Sequence, residues 1–127
     1  MRSLLERGGV IGGTSAGASI CAEYLVRADP LSMETVMAEG YERGFGFLPG
    51  FSVDQHFTKR KRLPEMQQLH RWYPKLTAIG IDEATAVICR NGKLEVRGLG
   101  TVTLLNNENR PPRVMRAGDW VSLEVKN

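Results

Sequence analysis

Apolar positions along this chain fall in short clusters separated by glycines, prolines and acidic corners, never in one long stripe. Val10-Ile11-Gly12 is a brief apolar run closed by glycine, the pattern of a buried parallel strand. From Ala16 to Val26 the small residues suit a tightly packed helix, which Asp29-Pro30 breaks. Residues 31–50 are mixed, and Gly44 to Gly50 reads as a loop or irregular strand. Phe51 to His56 resumes a strand. Between Arg60 and Trp72 the apolar positions Leu63, Met66, Leu69 and Trp72 predict a helix that Pro74 stops.

The second half is richer in strands. Ala78 to Ile81 and Ala84 to Cys89 predict short strands on either side of an acidic corner, Asp82-Glu83. Asn91-Gly92 is a strong two-residue hairpin signal leading into Lys93 to Val96. Thr101 to Leu105 and Trp120 to Val125 add two more strands with alternating apolar positions. Strand, helix, strand, helix and then strands alone is an α/β order: a parallel core with an antiparallel C-terminal extension.

Length and composition narrow the class. The 127 residues make a single domain with a real core, small for a complete doubly wound enzyme. With 42% hydrophobic and 24% charged residues the chain has the balance of a soluble globular protein. No apolar run approaches the roughly 18 residues of a membrane span. The start, Arg2 to Gly8, resembles the end of an amphipathic helix and has no apolar leader segment.

The formal net charge of +3 comes from scattered basic residues apart from Lys59-Arg60-Lys61-Arg62, so no nucleic-acid stripe is expected. Cys21 and Cys89 lie in apolar segments without CxxC spacing, which predicts buried free thiols and a reducing cytoplasm, any export signal lying upstream. Two histidines and two distant cysteines lack the spacing of a metal site, and no cofactor is expected.

The candidate chemistry begins at Gly13-Thr14-Ser15-Ala16-Gly17, which matches the G-x-S-x-G nucleophile elbow. A serine on a sharp turn between strand and helix projects its hydroxyl from the sheet. The flanking glycines make room for the chain, and the helix N-terminus offers N–H groups to an oxyanion. The Ala16 N–H is the candidate oxyanion donor. The same pentapeptide also suits a tight turn without chemistry.

Such a serine needs a base, and there are two histidines. His56 ends a strand, where side chains reach the sheet's carboxyl edge, whereas His70 fits the exposed side of a helix. The orienting acid then falls to Glu83 or Asp82 at the strand corner, with Asp54 as a rival. The order serine, histidine, acid differs from that of an ordinary α/β-hydrolase esterase.

Four blocks together, Gly12 to Ala18, Asp54-Gln55-His56-Phe57, Arg60-Lys61-Arg62 and Gly80 to Ala86, resemble the cyanophycinase and peptidase E family of serine peptidases. The resemblance is collinear from about residue 3 to the last strands. It implies a class I glutamine amidotransferase-like, flavodoxin-like fold, here a partial doubly wound sheet with a strand-rich C-terminal extension. Residues 1–127 would then be a single truncated domain that lacks the family's N-terminal half. It implies a Ser15, His56, Glu83 triad. It also implies substrate contacts at Asp54, Gln55, Arg60 and Arg62.

The implied substrate carries an aspartyl or β-aspartyl (isopeptide) bond. Expected partners are that substrate and either a complementing N-terminal half or a second copy of the chain. The rival expectation is a non-catalytic remnant or assembly module of the same fold. Two positions depart from the family pattern: Glu65 stands where it tends to carry arginine, and Lys61 where it tends to carry glycine.

Overall fold

A computed structural model describes residues 2–14, 16–25, 37, 43–58, 61–107 and 111–122. Two one-turn helices, α1 (Arg2–Glu6) and α2 (Ala16–Ile20), precede the first strand, β1 (Ala22–Tyr24). Next come β2 (Leu48–Gln55), α3 (Leu63–Trp72) and β3 (Thr77–Ile81). Five strands complete the order: β4 (Thr85–Arg90), β5 (Lys93–Gly98), β6 (Val102–Leu105), β7 (Arg113–Met115) and β8 (Trp120–Ser122). One sheet runs β1-β2-β3-β6-β7; the other runs β4-β5-β8.

β1, β2 and β3 are parallel, and α3 is the crossover that returns the chain from β2 to β3. β6 and β7 then extend the sheet antiparallel. The parallel core and antiparallel extension expected from the strand pattern are therefore both present. The Asn91-Gly92 hairpin is present too. Arg90 pairs with Lys93, and both turn residues have positive φ, 51° and 73°, as a type I′ turn requires.

The five-stranded sheet is buried on both faces, so β6 reads as four consecutive buried residues rather than an alternation. One face meets α3 through Phe57, Met66, Leu69, Leu76, Ala78 and Leu105. The other meets the three-stranded sheet through Ile79, Leu94, Val96, Val102, Leu104 and Met115. Successive residues of β3 separate cleanly, Ala78 to the helix side and Ile79 to the sheet side.

Several expected elements are corrected. Val10-Ile11-Gly12 is irregular, and Val10 is 88% exposed. No described neighbour supplies the ladder that a strand needs there. The helix expected from Ala16 to Val26 ends at Ile20, because Ala22–Tyr24 pairs with β2 instead. β2 starts earlier than expected, at Leu48. A register shift beside β1 and a positive φ of 79° at Gly50 accommodate the Pro49-Gly50 pair within it.

The buried face of α3 is Met66, Leu69 and His70, whereas Leu63 and Trp72 are exposed at 37% and 52%. A run at every third residue drifts around a helix of about 3.6 residues per turn, so positions nine apart end on opposite faces. His70, expected on the surface, is therefore core. The thiols also differ from expectation: Cys21 is half-buried and Cys89 exposed. Cys89 lies on the edge strand β4, where its side of the strand runs out of core.

Candidate active site

β2 and β3 end in register, Gln55 opposite Ile81, so the residues just beyond them share one edge of the sheet. Side chains at the carboxyl ends of adjacent parallel strands are where open α/β sheets build sites. There His56 Nδ1 lies 2.5 Å from Glu83 Oε1. An ionised carboxylate only accepts, so with Glu83 ionised this contact places the ring proton on Nδ1. Both side chains are partly open to solvent, at 34% and 43%.

Backbone conformation aims this pair. Side chains on β2 alternate, with Phe51 and Val53 away from α3 and Ser52 and Asp54 toward it. Continued alternation would send His56 toward the helix with Asp54. Instead His56 has φ 54°, and its imidazole joins Val53 and Gln55 in lining a cleft on the opposite face. Phe57, next in the chain, fills the core under α3. Ala84, beside Glu83, also has φ 54°. A positive φ is costly for a residue with a Cβ, and such strain gathers where function needs a side chain aimed.

The cleft has a volume of about 960 Å³. Gly12, Gly13 and Thr14 line it from one side, His56 and Glu83 from another, and Cys89 from β4. Ser15 and Arg60 lie outside the described residues. Around Ser15, the Gly17 N–H donates to the Thr14 carbonyl at 2.9 Å. A Cβ on Gly13 would overlap the Gly17 carbonyl, so the turn depends on glycine at 13. Ala16 opens α2, which packs on β2.

The residues singled out around His56 divide between the two faces of the sheet. Gln55 is buried and lines the cleft. Asp54 faces α3, where it shares a small crevice with Glu65. Arg62 is 4% exposed, and its Nη1 donates to Asp54 Oδ1 at 2.5 Å and to the Gln55 carbonyl at 2.7 Å. This buried pair ties the start of α3 to the end of β2, one residue before His56. Lys61, where the family resemblance implies glycine, has φ 52°. That is the backbone region glycine adopts without penalty.

Asp82 and Glu83 take different partners. Asp82 accepts hydrogen bonds from the Thr58 N–H at 2.9 Å and the Thr101 hydroxyl at 2.7 Å. Burial by itself would raise its pKa. The hydrogen bonds from the Thr101 hydroxyl and from Thr58 outweigh it and hold the carboxyl below its ordinary 3.8. Thr85 buttresses the corner, its hydroxyl donating to the Glu83 carbonyl at 2.9 Å and accepting from the Gly100 N–H at 2.9 Å. The Asp82 and Thr85 links were not legible in the sequence. Two threonines near acidic residues are too common a pattern to mark them. Among the described residues there is no cluster of three potential metal ligands. No described helix is long and apolar enough to cross a membrane.

The α/β sheet thus carries a histidine-carboxylate pair at its carboxyl edge, in a cleft that Gly13 and Thr14 also line. The model of peptidase family S51 matches residues 1–97, and the chain belongs to that family. A cyanophycinase of Geminocystis herdmanii is 34% identical over 100 residues, covering 77% of this chain and 37% of that protein. A cyanophycinase of Nostoc is 38% identical over 105 residues, covering 79% of this chain and 35% of the relative. Among solved structures, a peptidase from an acI-B1 Actinobacterium superposes with a TM-score of 0.61 at 28% identity. That match covers 90% of this chain and 46% of the other. The chain thus spans about a third of the length of the curated relatives it matches.

Proposed function

We propose that this chain carries the catalytic residues of a serine-type peptidase that hydrolyses aspartyl or β-aspartyl (isopeptide) bonds. Ser15 is the nucleophile, His56 the base and then the acid, and Glu83 the carboxylate that orients the imidazole. The observation that carries the reading is the 2.5 Å contact between His56 Nδ1 and Glu83, in a cleft that Gly13 and Thr14 also line. With Nδ1 held by a carboxylate, Nε2 is the nitrogen that takes the serine proton as the hydroxyl attacks the scissile carbonyl. It returns that proton to the leaving amine. The Ala16 N–H, at the start of α2, is the candidate donor to the oxyanion.

Of the four residues that the resemblance implies as substrate contacts, Gln55 lines the cleft. Asp54 and Arg62 act together as a buried pair behind it. Arg60, beside them in sequence, is proposed to meet the substrate's carboxylate through a guanidinium fork. The substrate class is taken from the relatives named cyanophycinase. A homologous N-terminal half, or a second copy of the chain, is the proposed source of the remaining wall of the cleft.

The test is active-site labelling with a fluorophosphonate, paired with hydrolysis of β-aspartyl-arginine. Both are run on the chain alone and with the N-terminal half of a relative added. Label on Ser15, lost in Ser15→Ala together with turnover, is the expected result. Label on Ser19 or Ser52, with Ser15→Ala fully active, overturns the assignment.

A further inference from the structure

His56 and Glu83 are carried by separate segments, the turn after β2 and the corner after β3, and each segment holds a residue at φ 54°. Left to itself, either would relax toward ordinary backbone geometry and carry its side chain away. Something must hold the two together. The main chain supplies one long link, the Phe57 N–H to the Ile81 carbonyl at 3.3 Å.

The shorter link is a side chain. Asp82 Oδ1 accepts from the N–H of Thr58, two residues past His56, at 2.9 Å. Its other oxygen accepts from the Thr101 hydroxyl at 2.7 Å and the Thr101 N–H at 3.3 Å. The Asp82 N–H donates in turn to the Thr101 carbonyl at 3.2 Å, so the corner is fixed to the start of β6 by both main chain and side chain. Gly100 closes the frame: an added Cβ would lie 3.0 Å from Asp82 Cβ and 3.1 Å from the Glu83 carbonyl. Asp82 therefore spends both carboxylate oxygens on the frame while its neighbour Glu83 meets the imidazole.

We propose that Asp82 is a positioning residue for the His56–Glu83 pair, clamping the turn after β2 to the corner after β3. The clamp sets the distance at which Glu83 meets His56. The inference rests on the reading of those two residues as base and orienting acid. A carboxylate suits the role because backbone and hydroxyl donors of Thr58 and Thr101 converge on it and it is an acceptor only. An asparagine keeps one oxygen for Thr58 but turns an NH₂ toward the Thr101 N–H. The Thr101 hydroxyl can rotate to accept from that NH₂, so asparagine is a partial substitute. Alanine removes every link that the side chain makes.

The experiment is low-temperature proton NMR of the full 127-residue chain, following the downfield resonance of the proton between His56 Nδ1 and the Glu83 carboxylate. Glu83→Gln should abolish that resonance and His70→Gln should leave it, which assigns it. Asp82→Ala, checked as folded by its amide spectrum, should reduce the resonance on the order of tenfold. Asp82→Asn and Thr101→Val should each weaken it by a smaller factor. A folded Asp82→Ala with the wild-type resonance overturns the positioning role and leaves the His56–Glu83 reading standing. If Asp82→Ala does not fold, unchanged resonances in both Asp82→Asn and Thr101→Val overturn the role, and weakening supports it. A resonance absent from the wild type, or surviving in Glu83→Gln, overturns the pairing itself and the clamp with it.

Discussion

Two parts of the chain border the same cleft and are built in opposite ways. The turn after β2 and the corner after β3 are braced by Asp82, Thr85, Thr101 and the buried Arg62–Asp54 pair. The segment from Gly9 to Thr14 has no assigned helix or strand, and its one large aliphatic side chain without cover, Val10, is 88% exposed. The first region fixes a geometry by converging hydrogen bonds. The second fixes one by the lack of side chains, since Gly13 approaches the Gly17 carbonyl too closely for a Cβ. The peptidase site proposed above needs both, an aimed base and an unobstructed nucleophile turn, and each region would meet its need by its own physical means.

Substitutions in the braced region should be expensive, and those at Val10 and Gly12, the uncovered positions of the open segment, cheap. The largest effect is expected at Glu83→Gln. Turnover in an active preparation should fall by on the order of 10³–10⁴, as when an orienting carboxylate is lost from other triads, with the melting temperature nearly unchanged. Asp82→Asn should cost much less in rate. If the two came out reversed, Asp82 would be the orienting acid.

Arg62→Ala comes next. It leaves Asp54 buried without its guanidinium, and removing one partner of a buried pair costs about 3–5 kcal/mol in chemical denaturation. A loss below about 1 kcal/mol would mean that the pair behaves like a solvent-exposed one.

Gly80→Ala should destabilise by about 1–3 kcal/mol, because the new methyl meets the Phe57 ring under α3 and the core must shift. At Gly12, where an added Cβ meets nothing within 4 Å, the same substitution is the matched control in the open segment. The smallest effect is expected for Val10→Ser, within about 0.5 kcal/mol of wild type. A loss of 2 kcal/mol there would show that Val10 is covered in solution and would erase the contrast between the regions.

Local chemistry decided a good deal of this molecule in advance. Asn91-Gly92 can take positive φ cheaply, so the β4–β5 hairpin was legible from two residues. The apolar runs at Ala78–Ile81 and Thr101–Leu105 read as strands, and the Gly-Thr-Ser-Ala-Gly turn and the Asp82-Glu83 corner stood out by residue type alone. Tertiary structure decided what local pattern could not. Val10-Ile11 has the composition of a strand, but a strand also needs a neighbour to complete its ladder. His70 has the polarity of a surface residue, yet its helical phase relative to Met66 and Leu69 puts it inside. Whether Asp54 would face the cleft or the helix depended on which side of the sheet α3 covers. That His56 leaves the alternation of β2 depended on a positive φ, which histidine tolerates but its sequence neighbours do not announce. Sequence names the groups able to do the chemistry; the pairing of β2, β3 and β6, whose ends meet at one edge of the sheet, determines which of them can touch.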